Sequence, residues 1–394
     1  MFKRNKLTFK TVQKSGARHD DLLESFNNIE ACIIYSRYIG HTYFIYELTQ
    51  TLESILKPVL DREKRASLLD KDHNSNIWCF CLSSVDENNI TTFANIAHEI
   101  GHIIFKKEKD DILIIRDQVL QEKIDTKFTN RALKLLNEYP KEKRLYINSV
   151  STQLLFSLIE ETCADVVGSI LLGPTFLLSL NEFTWDVIGR KSENIWFIEL
   201  EKERLNYPSI AFRKKCIKSL INYDSFLKGM KEISSLNKID EMIDKYLKSE
   251  TTETDRFLIK YDEELEKYLN NFMSEISDAF LLFAHRVYDY IINKYKKEIE
   301  EPDYSKIDDL IKRLSNKIPP NIVNDGTLLG QTANYSEILL SSYLSKIYTF
   351  YRSDGMNLEE KIKDLSIINK LTTKAIECTY MQNEYLKEKK KTIK

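Results

Sequence analysis

Apolar and polar positions follow a helical rhythm over most of this chain. From about Asp20 to Leu69 the pattern reads as helices rich in aromatics, among them Tyr35, Tyr38, Tyr43, Phe44 and Tyr46. A polar stretch, Asp70 to Asn76, interrupts it. Ile77-Trp78-Cys79-Phe80-Cys81-Leu82 is then a short apolar run between polar turns, which predicts a strand. Asp86-Glu87-Asn88-Asn89 supplies helix-start residues, and a helix is predicted from about Ile90 to Lys107. Its apolar residues Ile90, Phe93, Ile96, Ile100, Ile103, Ile104 and Phe105 cover most of its circumference, the mark of a central, buried helix. Residues 108 to 150 are dense in charge, the pattern of an exposed helical hairpin. A second apolar helix runs from about Ser151 to Leu172, where Gly173-Pro174 ends or kinks it. Another begins after Tyr207-Pro208 and reaches about Asn222. Amphipathic helices follow to the C-terminus, broken by a loop from Pro319-Pro320 to Gly326. The expected fold is mainly α with a small β element. Its expected parts are an N-terminal helical region (1–75), a core (76–222) and a C-terminal helical domain (223–394).

Composition agrees with that pattern. Glycine and proline are scarce, at 10 and 7 of 394 residues, so few tight turns are expected. The formal net charge of −2 points to neither nucleic acid nor an acidic membrane surface. The basic run Leu386-Lys387-Glu388-Lys389-Lys390-Lys391 reads as a solvated tail. The six cysteines, Cys32, Cys79, Cys81, Cys163, Cys216 and Cys378, have no framework spacing and read as reduced, buried thiols of a cytoplasmic protein. No uninterrupted apolar stretch reaches membrane-spanning length; Ile276 to Ile292 carries Asp278, His285, Arg286 and Asp289.

The chemistry is concentrated in His98-Glu99-Ile100-Gly101-His102. Two imidazoles four residues apart on a helix share one face, with a carboxylate beside it. That geometry suits a zinc ion (Zn2+) held by His98 and His102, with Glu99 handling the proton of a water. The helix from Ser151 supplies a second element. One of its faces carries Leu154, Leu158, Glu161, Asp165, Gly168 and Leu172, so two acids interrupt a stripe that otherwise asks to be buried. A buried ionised carboxylate needs a partner. A cation shared with the histidines provides one, with Glu161 as the third ligand and Asp165 as acceptor from a ligating imidazole. Glu160 is the rival ligand, roughly 100° around the helix. Ala164 and Gly168 are small enough to admit the motif helix closely. His19, His41, His73 and His285 sit in contexts that ordinary surface or core-edge histidines occupy.

His98-Glu-x-x-His102 followed by Glu161-Thr-Cys-Ala-Asp165 resembles the gluzincin metallopeptidases. Tyr207-Pro208-Ser209-Ile210-Ala211-Phe212-Arg213 is similar to the His-Pro-x-x-x-x-Arg segment of the M48 peptidases within that group, with Tyr207 at the histidine position. The resemblance spans roughly residues 76 to 222. It implies a zincin-like catalytic core with a short edge sheet, the strand Ile77 to Leu82 aligning an extended substrate. It further implies a zinc endopeptidase in which Glu99 is the general base and Tyr207, and Arg213 or His285, stabilise the oxyanion. Arg213 can instead pair with a carboxylate and brace the site. M48 enzymes are commonly membrane-embedded, whereas the segment between Gly101 and Ser151 is too charged to span a bilayer. The expected partners are a protein or peptide substrate and a regulatory protein on the C-terminal helices. The alternative is a non-catalytic zinc-binding sensor or scaffold acting through protein–protein contacts.

Overall fold

The computed structural model describes residues 29–36, 44–47, 76–83, 89–187, 195–199, 204–248, 254–260, 262–295, 302–324, 330–352 and 355–392. Most of them are helical. The strands and helices in chain order begin with β1 (Ile29–Ser36), β2 (Phe44–Glu47) and β3 (Asn76–Ser83), followed by α1 (Thr91–Lys107), α2 (Lys109–Lys123) and α3 (Thr126–Asn137). Then come α4 (Lys141–Leu172), α5 (Pro174–Val187), β4 (Ile195–Glu199), β5 (Arg204–Tyr207), α6 (Ile210–Leu220), α7 (Tyr223–Met230) and α8 (Ile239–Leu247). The chain closes with β6 (Arg256–Lys260), α9 (Glu263–Asn270), α10 (Met273–Tyr295), α11 (Tyr304–Ser315), β7 (Ile322–Val323), β8 (Gln331–Thr332), α12 (Tyr335–Tyr351) and α13 (Leu358–Thr392). Two compact units emerge. One takes residues 1–96, 229–242 and 301–394; the other takes 97–228 and 243–300.

The first unit contains the sheet β1-β3-β2. β3 pairs in parallel with β1 along its whole length, Ile29 facing Asn76 through Ser36 facing Ser83, and antiparallel with β2 from Phe44–Cys81 to Glu47–Trp78. Two expectations fail here. Residues 29–36 and 44–47 are strands where helices were expected, because a short apolar run with Ile33 and Ile34 suits a strand as well as a buried helix. β3, expected at an edge, is central, its backbone paired on both sides from Trp78 to Cys81 and so taken there against an incoming strand. The remaining predicted N-terminal helix positions, and His19, His41 and His73, lie outside the described residues. In the same unit α12 packs against α11 and α13 and starts from a capping box, Asn334 with Glu337.

The second unit carries the motif, with α1 from Ala97 onward and the whole of α4. α1 begins one residue after its predicted start, and α4 runs ten residues further N-terminal than predicted. Pro140 precedes its charged first turns, of which Ile147 is the buried residue. From Thr162 to Leu172 every residue of α4 is buried. Gly173 ends it at φ 54°, a left-handed conformation that glycine takes without strain, and Pro174 opens α5. The charged segment forms α2, α3 and the first turns of α4, and α2 packs on α10 rather than pairing with α3 as a hairpin. The sheet β5-β4-β6 and α6 meet around Trp196, which is fully buried with ring centroids 4.9 Å from Phe212, 5.3 Å from Phe257 and 5.8 Å from Phe280. α10 packs on α2, α4 and α6. Among the described residues no helix is long and apolar enough to cross a membrane.

Candidate metal centre

α1 and α4 approach each other where neither presents a bulky side chain. A Cβ placed on Gly101 would lie 2.4 Å from Ala164 Cα, so the two backbones are in direct contact there. The predicted second small residue has a different use: a Cβ on Gly168 would lie 2.5 Å from the ring of Phe176 on α5. With Gly101 opposite Ala164, residues ascending α1 meet residues descending α4. His98 therefore faces Asp165, and His102, one turn on, faces Glu160 and Glu161.

The ring nitrogens divide cleanly. His98 Nδ1 lies 3.0 Å from Asp165 Oδ1, and His102 Nδ1 lies 3.1 Å from Glu160 Oε1. Both Nε2 atoms turn to a single carboxylate, His98 Nε2 to Glu161 Oε2 at 3.2 Å and His102 Nε2 to Glu161 Oε1 at 3.6 Å. The two rings stand edge to face with centroids 4.9 Å apart. Side-chain exposure is 12% for His98, 13% for His102 and 14% for Glu161, enough to be reached and too little to be solvated freely.

A third element anchors this pair from behind. Ser209 caps α6, accepting from the Phe212 amide at 3.1 Å while its hydroxyl donates to Asp255 at 2.6 Å. The helix so started carries Arg213 inward, where Nε donates to Asp165 Oδ2 and Nη2 to Asp165 Oδ1, both at 2.6 Å. This is the two-pronged pairing that the guanidinium plane favours, and both side chains are 6% exposed. Of the two roles open to Arg213, the geometry supports bracing. Tyr207 ends β5 immediately before Pro208; its side chain lies outside the described positions. His285 stands apart on α10, with Nε2 3.0 Å from Ser219 Oγ.

Charges in the cluster are strongly coupled. Burial opposes a charged His98, but hydrogen bonds to Asp165 and Glu161 outweigh it and raise the imidazole to about 10. Burial opposes charge on His102 too, and the Glu160 hydrogen bond with the Glu161 charge lifts it above its ordinary value. Asp165 is held down to about 2, because Arg213 and His98 overcome its burial. Glu160 is lowered by His102 against its own burial. Glu99 is pushed up by burial, against the pull of His102 and His98.

These residues fit a divalent cation. His98, His102 and Glu161 offer ligand atoms all within 4.8 Å of one another and could hold a metal ion. Glu161 stands between the two rings, Oε2 3.2 Å from His98 Nε2 and Oε1 3.6 Å from His102 Nε2. Charge agrees as well. Glu99, Glu160, Glu161 and Asp165 outnumber the cations beside them, Arg213, Lys106 and Lys109, and a dication supplies what two imidazole protons otherwise would. Two nitrogens and a carboxylate suit zinc better than calcium or magnesium, which prefer all-oxygen sets. Glu160, the rival ligand of the sequence reading, takes the outer nitrogen of His102 instead. No family profile, curated protein or solved structure matches this chain.

Proposed function

We propose that His98, His102 and Glu161 hold zinc and that the protein is a zinc-dependent endopeptidase. One observation carries this reading. Both Nε2 atoms converge on Glu161 while both Nδ1 atoms are taken by carboxylates of the same helix, the arrangement that fixes two imidazoles as ligands and leaves their inner lone pairs for a metal. Zinc there would supply Lewis acidity, polarising a peptide carbonyl and bringing the pKa of a water toward about 7.

The chain's own groups supply the rest. Glu99 follows His98 on α1 and lies close enough to His98, His102 and Glu161 to feel their charges. Its carboxylate would take the proton of the attacking water and return it to the nitrogen of the leaving amine. Asp165 and Glu160 hold the rings in orientation, and Arg213 keeps Asp165 ionised and aimed. Tyr207, at the end of β5, would donate a hydrogen bond from its hydroxyl to the carbonyl oxygen as that oxygen gains charge.

The test compares the full chain with Glu99→Gln. Metal analysis should find one zinc per chain in both, and mapping of new termini in a cell extract should find cleavage with the wild type alone. Zinc in both with cleavage by neither would turn the reading to a zinc-binding scaffold or sensor. Undiminished cleavage by Glu99→Gln would remove the mechanism.

A further inference from the structure

The two imidazoles are held unequally. Asp165, which accepts from His98, is short, 6% exposed and gripped by Arg213 at two points. Glu160, which accepts from His102, has one more rotatable bond and is 27% exposed. The cations beside it are Lys106 and Lys109, whose flexible stems leave the end of α1 and the start of α2. One ring is therefore backed by a locked pair, and the other by a single carboxylate that water can reach.

We propose that Glu160 is the positioning residue for His102, and that the His102–Glu160 arm is the labile side of the metal centre, the side that opens first when metal leaves. The inference rests on reading the cluster as a zinc site. An imidazole whose Nδ1 donates to a fixed acceptor keeps the Nε2 lone pair aimed at the metal. Without Glu160, the His102 ring can turn about its Cβ–Cγ bond and exchange tautomers, while His98 stays anchored through Asp165 and Arg213. One ligand of three then loses its orientation and the other two keep theirs.

The experiment measures zinc affinity against a chromophoric chelator, and the rate of zinc loss into excess chelator, for the full chain, Glu160→Ala and Glu160→Gln. Glu160→Ala should bind zinc about 10–100-fold more weakly, chiefly through faster loss. Glu160→Gln keeps an oxygen acceptor for Nδ1 and should recover most of that difference. Loading with Co2+ supplies a readout that a merely structural role would not move: the visible absorption bands should shift in Glu160→Ala and return toward wild type in Glu160→Gln. Affinity, loss rate and cobalt spectrum all unchanged in Glu160→Ala would overturn the Glu160 assignment and leave the zinc reading standing. A wild-type chain that binds no zinc would overturn both.

Discussion

Gly101 of α1 and Ala164 of α4 touch through their backbones, and the whole centre depends on that contact. Glu161 reaches both histidines because nothing larger than a hydrogen separates the helices at Gly101. In Gly101→Ala the new methyl would lie 2.4 Å from Ala164 Cα, a backbone atom that cannot rotate away. The helices must part, at a cost of about 1–3 kcal/mol. The expected result is a lower melting midpoint together with lost zinc binding. Gly168→Ala is the control: its methyl meets the Phe176 ring, so it should destabilise the fold and leave zinc affinity unchanged once folded. Wild-type melting and zinc affinity in Gly101→Ala would show that the approach is not tight.

Several features of this centre were legible in the residues alone, and the reason is geometric. A step of four along a helix returns to the same face, so His98 with His102 and Glu161 with Asp165 could be placed without coordinates. The Ser209 cap and the helix after Pro208 follow from local preferences in the same way. The close approach at Ala164 and the meeting of Glu161 and Asp165 with the histidines were expected from the residues, whereas the place of Glu160 was not. Which side of α4 faces α1 decides whether Glu160 meets a metal or an outer nitrogen, and one sequence contains no distance between two helices. The charged start of α4 was missed because it buries one residue, Ile147, and a single apolar position gives no period to detect. β1 and β2 were missed because short apolar runs lack the length that separates strand from helix.

Arg213 is the strongest single anchor of the cluster. Removing it leaves Asp165, 6% exposed, with a buried charge and one partner fewer. Arg213→Met should therefore cost about 3–5 kcal/mol in urea unfolding. Arg213→Lys keeps the charge but cannot make two parallel bonds, so a smaller loss is expected. Zinc affinity should fall in both variants, because His98 loses its fixed acceptor. Equal stability of Arg213→Met and wild type would contradict the bracing role.

In the other unit, Asp308 predicts an acid-sensitive step. It accepts from Ser234 Oγ, from the Ser235 amide and from Lys312, each at 2.8 Å. Burial opposes its charge, yet these donors hold its carboxyl at about 2, below the ordinary 3.8. The folded state thus binds the proton less readily than the unfolded chain. The stabilisation is complete above pH 3.8 and disappears as pH falls through about 2. Lys312 is 53% exposed, so water screens part of the pairing and a contribution of about 1 kcal/mol is expected. Asp308→Asn should remove it at neutral pH and flatten the stability profile between those two values. An unchanged acid profile in that variant would refute the assignment.

Metal should also reveal itself through stability, independently of any substrate. An ion that binds the folded centre shifts unfolding by mass action, about 2.7 kcal/mol when free zinc is 100 times its dissociation constant. For a unit of this size that corresponds to a midpoint rise of about 5–10 °C. The rise should vanish on chelation and in His98→Ala or His102→Ala, each of which removes a ligand from the trio around Glu161. It should persist in Glu99→Gln, because Glu99 is assigned to the proton and not to the metal. Calcium or magnesium at equal concentration should give no comparable shift, since two imidazoles make a poor site for a hard cation. Calorimetric scans of these variants with and without zinc separate the two functions of the motif. A zinc-induced rise that survives loss of both histidines would place the ion elsewhere in the chain and dissolve the link between this cluster and metal.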